Sequence, residues 1–452
     1  AMDLAHHGIR SYIYKELRHT PMLSFAVRHF KASGGIMITA SHNPKAYNGF
    51  KAYDHTGAQL NLDDANQVIE HINQIENPFE IAIKENDYIQ WIDEEVDDIY
   101  LDAVKQISLN DPKKDIKIVY SPLHGAGGTV IPRLLIEKGY QVYPYEPQMI
   151  VDPHFSNTKS SNPEDALSFE MSTYFAKEID ADIIMVTDPD ADRLGVSVKH
   201  QHDYHLLNGN QTAVIELFYI LSERKKQNTL PKEGFVFTTS VTSLLINEIA
   251  TSFNMQVVTT LTGFKFIGEQ AEKLKHDQTY VFGCEESYGS LIRDFVRDKD
   301  AVQAVYMLSE IASVLNDQNK TLIDYLEEIY QTYGYFLEKT DAYTLEGMEG
   351  LEKIENTMTY FRTQYQDMPF KITKVTDYFE SKSYMNGKEE TVTLPKSNVL
   401  RFDLENDAWI VLRPSGTEPK LKIYYGVKKP TQKEALQHIK ALQKQMAEIL
   451  TF

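Results

Sequence analysis

Residues 182–193 read DIIMVTDPDADR, an apolar run followed by a loop that carries three carboxylates. The run predicts a strand, and short apolar runs of this kind alternate with amphipathic segments along the chain, which is typical of α/β layers. On an extended loop Asp188, Asp190 and Asp192 point to the same side, so three oxygens converge on one hard cation. The loop also follows the carboxyl end of a strand in an expected parallel sheet, where α/β proteins place their ligand sites.

Two other interpretations of this acidic loop compete with a metal site. An EF-hand begins similarly, but it needs Gly at loop position six and a bidentate Glu at position twelve, where this chain has Arg193 and Lys199. A solvated acidic loop needs no ligand at all, and the spacing alone does not exclude it. Three carboxylates would leave a divalent ion short of ligands and with excess negative charge nearby. A phosphate oxygen and Arg193 are the groups expected to meet these two needs.

The order of predicted elements divides the chain into several units. A strand expected to be buried, residues 34–41, comes first, and a charged stretch at 110–115 marks a boundary. The strand–helix–strand pattern of residues 116–145 predicts a βαβ-type unit with a parallel sheet. A second unit of the same rhythm starts near Gly209. Near residue 340 the pattern changes to strands that end in a helix at 431–449, which predicts a separate α+β domain.

The composition restricts the class of partner. The 452 residues carry a formal net charge of −19, which argues against nucleic acid and anionic membranes, while a small phosphorylated substrate needs only a few convergent Lys and Arg side chains. One cysteine, Cys284, excludes an intrachain disulfide and fits a cytoplasmic location. No stretch approaches the roughly 20 apolar residues of a membrane span. Ala1 before Met2 resembles a cloning remnant, and a signal peptide is not expected.

A second polar loop, TASHNP at 39–44, follows the first predicted strand. Ser41 in this loop is a candidate nucleophile, although a serine in a tight loop is more often a turn-capping hydroxyl. The loop also lacks the G-x-S-x-G elbow of hydrolases. His42, Asn43 and Lys51 favour the catalytic interpretation, because they can manage protons or phosphate charge.

Three further loops carry groups suited to phosphates, sugars or nucleotides. In RPSGTEP, residues 413–419, backbone N–H groups and Arg413 suit an anion, although a plain hairpin is equally consistent. GCEESYG, residues 283–289, offers two carboxylates and a hydroxyl to vicinal sugar hydroxyls, or is an acidic surface turn. GAGGT, residues 125–129, mimics a dinucleotide fingerprint, but Val130 stands at the third glycine position and argues against a nicotinamide dehydrogenase.

In this order, the loops resemble those of the α-D-phosphohexomutases. TASHNP with NGFK (48–51), DPDADR, GCEESYG and RPSGTEPK are similar to the family's phosphoserine, metal, sugar and phosphate loops, and HGAGG (124–128) and LTGFK (261–265) match further segments. The resemblance covers nearly the whole chain. It implies an α/β fold of three similar domains, the first incomplete, with a C-terminal α+β domain, all around a central cleft. The bounds expected for the four domains are 1–108, 109–208, 209–338 and 339–452.

The resemblance also implies a reaction. Phosphorylated Ser41 gives its phosphoryl group to a free hydroxyl of a hexose monophosphate, a bisphosphate forms and reorients, and Ser41 recovers the other phosphate. Mg²⁺ would be held by the phosphoserine and by Asp188, Asp190 and Asp192, and glucose 1,6-bisphosphate would be the intermediate or activator. The other site residues implied are Arg193 and His42 beside the serine, Lys51 and Lys265 as proton shuttles, Glu285, Ser287, Arg297 and Lys299 at the sugar, and Arg413, Ser415, Gly416 and Thr417 at the distal phosphate.

The sugar loop bears on the choice of substrate. GCEESYG followed by RDKD at 297–300 is most similar to the phosphoglucomutases, so glucose 1-phosphate and glucose 6-phosphate are the expected pair. Phosphopentomutases and other phosphohexomutases are the alternatives. Family members open with a Gly-Thr-x-Gly-x-Arg segment well before the serine loop, and Ser41 lies too close to residue 1 for that segment. The chain is therefore expected to be truncated, and a truncated chain that binds sugar phosphate without turnover is a further alternative.

Overall fold

The computed structural model describes residues 1–345, 347–415 and 419–450. Its helices, in chain order, are α1 (Met2–His6), α2 (Thr20–Phe30), α3 (Leu62–Asn73), α4 (Glu94–Lys105), α5 (Ile131–Glu137), α6 (Glu146–Met149), α7 (Glu170–Ile179), α8 (Gly209–Lys226), α9 (Leu244–Ser252), α10 (Phe264–Glu272), α11 (Ala301–Asn316), α12 (Leu322–Tyr333), α13 (Gly347–Thr363) and α14 (Gln432–Ile449). Among the described residues, no helix is both long and apolar enough to cross a membrane.

The strands, in chain order, are β1 (Ser11–Tyr14), β2 (Gly34–Ile38), β3 (Phe50–Asp54), β4 (Ile89–Ile92), β5 (Lys117–Ser121), β6 (Gln141–Pro144), β7 (Ile183–Thr187), β8 (Leu194–His200), β9 (Asp203–Leu207), β10 (Gly234–Thr239), β11 (Gln256–Thr260), β12 (Thr279–Glu285), β13 (Gly289–Leu291), β14 (Tyr335–Thr344), β15 (Ile372–Asp377), β16 (Lys382–Met385), β17 (Lys388–Thr391), β18 (Leu400–Leu404), β19 (Ala408–Pro414) and β20 (Lys420–Lys429).

The chain folds as two compact units. The first comprises residues 1–238, 253–258 and 263–325, and the second comprises residues 239–252, 259–262 and 326–452. The first unit contains a five-stranded sheet of order β6-β5-β7-β8-β9. Its strands β5, β6 and β7 are parallel, whereas β8 and β9 are antiparallel to their neighbours. The sheet is therefore mixed where a parallel one was expected, because β8 returns directly from β7 as a hairpin with the acidic loop at its turn.

The centre of this sheet is buried on both faces. Every residue of β7 is buried, and Val119 of β5 packs with Ile184 and Val186 of β7 against Ala176 of α7. Strands covered on both faces read as continuous apolar runs, which is why the DIIMVT run gave a correct strand prediction. The carboxyl end of β7 is thus held by a rigid core, and the acidic loop begins from a fixed position.

The strand β2 is mostly exposed, so the prediction of a buried strand at 34–41 is wrong. Within the described part of the chain it pairs only with β3, in a two-stranded antiparallel sheet. One face lies against α2, where a Cβ on Gly35 would come within 2.7 Å of Val27 Cγ2. On the other face Ile36 and Ile38 are 63% and 72% exposed. Apolar composition predicted the strand correctly, but burial depends on what packs against each face, which the local pattern does not contain.

The second unit contains a seven-stranded antiparallel sheet of order β14-β20-β19-β18-β15-β16-β17. Residues of α13 and α14 share a buried apolar core with this sheet, including Phe361, Phe402, Ile410, Tyr425 and Met446. The α+β character expected after residue 340 is confirmed, whereas β14 and α13 were not anticipated. The segment that begins at Arg413 connects β19 to β20, and these strands form a hairpin in which Pro414 pairs with Leu421.

Candidate active site

Ser41 lies in a left-handed turn between β2 and β3. Its backbone φ is 53°, an uncommon value for a residue with a side chain and one that often marks functional loops. The Ser41 N–H donates to Thr39 Oγ1 over 2.8 Å, which closes the turn. The Ser41 hydroxyl lies 3.1 Å from Asp188 Oδ2 and 3.0 Å from Asp190 Oδ1. The structure therefore brings the serine loop and the acidic loop together, although 147 residues separate Ser41 from Asp188.

The acidic loop is a tight turn. The backbone N–H groups of Asp192 and Arg193 donate to Asp188 Oδ1 over 3.1 and 3.0 Å, and Ala191 has a φ of 47°. The predicted convergence of three carboxylates is present, since one oxygen from each of Asp188, Asp190 and Asp192 lies within 4.8 Å of the others. The reason given for it was wrong, because the oxygens meet through a folded turn and not through alternation on an extended strand.

The glycine-rich turn at 125–129 supports the acidic loop. The Ala126 N–H donates to the Pro189 carbonyl over 2.7 Å, and a Cβ on Gly125 would come within 2.2 Å of Pro189 Cα. A Cβ on Gly127 would meet the Tyr120 hydroxyl at 2.4 Å. Gly125 is needed because the two loops are in backbone contact, and Gly127 is needed because the Tyr120 side chain packs against it.

The carboxylate of Asp190 uses its two oxygens differently. Asp190 Oδ2 accepts from Thr20 Oγ1 at 2.9 Å, from Thr39 Oγ1 at 3.2 Å and from Lys51 Nζ at 2.9 Å. Asp190 Oδ1 instead faces the Ser41 hydroxyl. Three donors on one oxygen fix the plane of the carboxylate, so the other oxygen is presented beside the serine.

The other two carboxylates show the same division. Asp192 Oδ2 accepts from Lys51 Nζ and Lys299 Nζ, each at 2.7 Å, while Asp192 Oδ1 is buried and has no hydrogen-bond partner among the described residues. Asp188 Oδ1 is taken by backbone N–H groups, which leaves Asp188 Oδ2 beside Ser41. Each aspartate thus has one oxygen held by the protein. The other oxygen lies beside Ser41 in Asp188 and Asp190, and in Asp192 it has no hydrogen-bond partner among the described residues. Oxygen donors in this arrangement fit a hard divalent cation.

The electrostatics of the triad also fit a cation. Burial and the charges of Asp192 and Asp190 raise the pKa of Asp188 well above its usual range. Burial acts on the pKa of Asp192 in the same direction, but Lys299 and Lys51 outweigh it and hold that pKa below its usual range. Carboxylates this close repel one another, and a divalent ion would relieve the repulsion without protonating any of them. The acidic triad can therefore hold a metal ion.

Two residues flank the serine. Arg193 is half-buried, and its Nη1 donates to Glu164 Oε1 over 2.6 Å. His42 Nδ1 lies 3.3 Å from Ser41 Oγ, and the His42 carbonyl accepts from Ser161 Oγ at 2.9 Å. Burial, with the charge of Arg193, lowers the pKa of His42 to about 3, so the imidazole is neutral at physiological pH. A neutral ring can hydrogen-bond the serine without adding charge.

Four domains of one known family match this chain, in order along the sequence. Residues 2–79, 98–201 and 208–333 match the alpha/beta/alpha domains I, II and III described for phosphoglucomutase/phosphomannomutase, and residues 372–448 match the C-terminal domain of the same family. A phosphoglucomutase of Staphylococcus aureus (strain MRSA252) is 40% identical over 449 residues, which is 97% of this chain and 80% of the relative. The chain belongs to the phosphoglucomutase/phosphomannomutase family.

Solved structures of related enzymes share the fold. Parafusin, a phosphoglucomutase from Paramecium, aligns over 99% of this chain and 84% of its own, with a TM-score of 0.70 and 19% identity. An N-acetylphosphoglucosamine mutase from Aspergillus fumigatus, solved with GlcNAc-6P and magnesium, aligns over 96% and 93% with a TM-score of 0.57 and 15% identity. The resemblance to the α-D-phosphohexomutases and the predicted fold class are confirmed. The exact domain bounds remain predictions.

The loop predicted to bind the sugar, residues 283–289, lies next to the acidic loop, since the Leu194 N–H donates to the Tyr288 carbonyl over 3.0 Å. Glu285, at the end of β12, is buried and accepts from the Gly263 N–H at 2.6 Å. Burial raises the pKa of Glu285, and the charges of Lys299 and Arg193 oppose that rise. Ser287 is half-buried in the same loop. Lys299 thus contacts Asp192 of the triad, and Glu285 lies near Lys299 and Arg193.

Arg297 and Lys265 have different surroundings. The Arg297 guanidinium is buried and pairs with Glu272 at 2.8 Å and with Asp294 at 3.3 Å, so its donors are already engaged. A structural role for Arg297 follows from these contacts more directly than the predicted sugar contact. Lys265 stands in the first turn of α10, next to Gly263, and burial lowers its pKa. A lysine that gives up its proton more readily suits proton transfer.

The predicted phosphate loop is described in part. Arg413 is half-buried near the end of β19, and the Ser415 N–H donates to the Lys420 carbonyl over 2.7 Å. Gly416 and Thr417 lie outside the described residues. The hairpin predicted as the plain interpretation of this segment is present, and the anion-binding prediction for it stays a prediction.

Sequence reasoning missed several residues of the site. Thr20 and Thr39 hydrogen-bond Asp190, and Glu164 pairs with Arg193. Thr39 lies inside the TASHNP motif, so its position beside Ser41 could have identified it as a site residue. Thr20 and Glu164 lie in segments without a recognised pattern, and only their contacts across the fold reveal them.

Proposed function

We propose that this phosphohexomutase is a phosphoglucomutase, which interconverts glucose 1-phosphate and glucose 6-phosphate with Ser41 as the phosphoryl carrier. The observation that carries the proposal is the position of the Ser41 hydroxyl, 3.0 and 3.1 Å from oxygens of Asp190 and Asp188. A phosphoserine there would share a cation with the triad. The name of the Staphylococcus aureus relative supports the choice of glucose phosphates.

In the proposed reaction the phosphoryl group leaves phosphorylated Ser41 for a free hydroxyl of the sugar monophosphate. The P–Oγ bond breaks, a bond from phosphorus to the sugar oxygen forms, the sugar hydroxyl releases its proton, and the serine oxygen takes one up. Glucose 1,6-bisphosphate is the product of this half-reaction. After the sugar reorients, the same step in reverse returns the other phosphoryl group to Ser41 and restores the starting enzyme.

Positive charge around the serine supports the transfer. Burial lowers the pKa of Lys51, but the charges of Asp190 and Asp192 outweigh it and hold that pKa well above the usual range. Lys51 Nζ donates to Asp190 and Asp192 over 2.9 and 2.7 Å, so we assign it positive charge beside the serine, and its role as a proton shuttle stays a prediction. Arg193, held by Glu164, braces the phosphoryl group. Mg²⁺ bound by Asp188, Asp190, Asp192 and the phosphoserine would neutralise charge on the transferring group.

The remaining roles concern the sugar phosphate. Glu285, Ser287 and Lys299 are proposed to bind sugar hydroxyls, because Lys299 contacts the triad, Glu285 lies near Lys299 and Ser287 follows in the same loop. Lys265 is proposed to take the proton of the attacking hydroxyl, since burial lowers its pKa. His42 orients the serine as a neutral ring. The distal phosphate would be bound by Arg413, Ser415, Gly416 and Thr417.

Ser41→Ala tests the carrier role. The intact mass of the purified chain should exceed the sequence mass by about one phosphate in a fraction of molecules, and Ser41→Ala should abolish both that excess and the mutase activity. Ser33→Ala, at an exposed serine of the segment before β2, is the matched control and should keep both. Activity or phosphate that survives in Ser41→Ala would overturn the proposal.

Substrate comparison tests the sugar. With Mg²⁺ and a trace of glucose 1,6-bisphosphate, glucose 1-phosphate should give a higher kcat/KM than mannose 1-phosphate or ribose 1-phosphate. A higher value with either of the other sugars would assign the chain to a different phosphomutase. Binding of glucose 1-phosphate without any turnover would favour the non-catalytic alternative.

A further inference from the structure

Thr20 makes two contacts with Asp190 that no loop motif predicts. Its backbone N–H donates to the Asp190 carbonyl over 2.8 Å, and its hydroxyl donates to Asp190 Oδ2 over 2.9 Å. Thr20 is fully buried and is the first residue of α2, so its position is fixed by a helix and not by a flexible loop. The contact joins parts of the chain 170 residues apart.

The two other donors to Asp190 Oδ2 have additional roles. Lys51 Nζ is shared with Asp192, and the Thr39 hydroxyl also accepts from the Ser41 N–H. Of the three donors, Thr20 is the one whose hydroxyl makes no hydrogen bond except to Asp190 among the described residues. A change at Thr20 therefore acts on the Asp190 carboxylate with the least effect on the rest of the site.

A carboxylate oxygen that already accepts three hydrogen bonds is a poor metal ligand. Asp190 can then offer a cation one oxygen, Oδ1, and remains monodentate. Mg²⁺ requires near-octahedral geometry at about 2.0–2.1 Å and suits monodentate carboxylates. Ca²⁺ takes about 6–8 oxygens at longer distance and readily accepts bidentate carboxylates. The hydrogen bonds on Asp190 Oδ2 thus bear on which cation the site prefers.

We propose that Thr20, together with Thr39, is a positioning residue that sets the cation selectivity of the triad, by holding Asp190 monodentate and so favouring Mg²⁺ over Ca²⁺. The proposal rests on the cation site proposed above. Removing the Thr20 hydroxyl frees Asp190 Oδ2 to turn towards the ion. The larger Ca²⁺ gains a ligand from that rotation, and Mg²⁺ does not.

The test measures cation affinities of the full chain directly by calorimetry. In Thr20→Val, which keeps the side-chain shape and the backbone N–H, the ratio of the Ca²⁺ Kd to the Mg²⁺ Kd should fall about tenfold, the value of one hydrogen bond to a charged group. Thr20→Ser should restore the wild-type ratio within about twofold. Thr212→Val is the matched control, since this buried threonine in the first turn of α8 donates to backbone carbonyls.

Asp190→Asn separates failure of this proposal from failure of the cation site. If Asp190→Asn binds Mg²⁺ as the wild type does, the cation site itself is wrong. Suppose that Asp190→Asn loses cation binding. If Thr20→Val then keeps the wild-type ratio of Kd values, or lowers the affinity for both cations equally, the selectivity role of Thr20 is wrong. Melting curves of each variant without divalent cations show that the chain is folded in every comparison.

Discussion

Gly125→Ala should damage catalysis by moving the acidic loop. An added Cβ would lie 2.2 Å from Pro189 Cα and 2.3 Å from the Pro189 carbonyl oxygen. Carbon atoms pack at about 3.5–4.0 Å, so the Pro189 backbone has to move by roughly 1 Å or more. Pro189 sits between Asp188 and Asp190, and both ligand oxygens move with it.

The expected loss follows from that displacement. A shift of about 1 Å in reacting groups costs on the order of 100-fold in rate, so kcat/KM for glucose 1-phosphate should fall by roughly that factor. The overpacking itself should cost about 1–3 kcal/mol of the free energy of unfolding. Initial rates in an assay coupled to oxidation of glucose 6-phosphate measure the first effect, and chemical denaturation measures the second.

Gly128→Ala in the same turn is the control. Its added Cβ would meet Met149 Cε at 3.3 Å and Pro122 Cγ at 3.4 Å, and both are side-chain atoms. A flexible methionine end can move by a few tenths of an ångström, so activity should stay within about threefold of wild type. If Gly125→Ala behaves like Gly128→Ala, the backbone contact does not position the acidic loop, and the reasoning is refuted.

Two further predictions concern buried charge. Glu216 in α8 is buried, its Oε1 lacks a hydrogen-bond partner among the described residues, and burial raises its pKa from 4.5 to about 8. The folded state therefore holds a proton that the unfolded state releases, so this group lowers the free energy of unfolding by about 1.4 kcal/mol per pH unit as pH rises from about 5 to 8. Glu216→Gln should remove that slope in denaturation measured across this range, and an unchanged slope would contradict a neutral Glu216. Lys51→Met removes the ammonium that Asp190 and Asp192 share. In the absence of divalent cations, the free energy of unfolding should therefore fall by about 3–5 kcal/mol. Added Mg²⁺ should recover most of that loss in thermal melts, and a loss that Mg²⁺ leaves untouched would contradict a shared cation site.

The chemistry of the individual loops could be predicted from sequence because it is local. DPDADR contains its three carboxylates, and TASHNP contains the serine, the histidine and the turn. The β7 run predicted its strand correctly, since a strand buried on both faces has to be apolar throughout. The same reasoning failed for burial of β2, because one face of its two-stranded sheet packs against α2 and the other face is exposed.

The sequence by itself determined which groups are available: one serine in a polar loop, three carboxylates in a second loop and two more in the GCEESYG loop. Tertiary structure alone decided how they are used. Whether Asp190 offers one oxygen or two depends on Thr20, a residue 170 positions away whose hydroxyl carries no local signal. The contacts of Lys51 with Asp190 and Asp192 also join distant loops, and the local sequence does not predict them. Side-chain identity is a local property, whereas charge state and orientation depend on neighbours that only folding supplies.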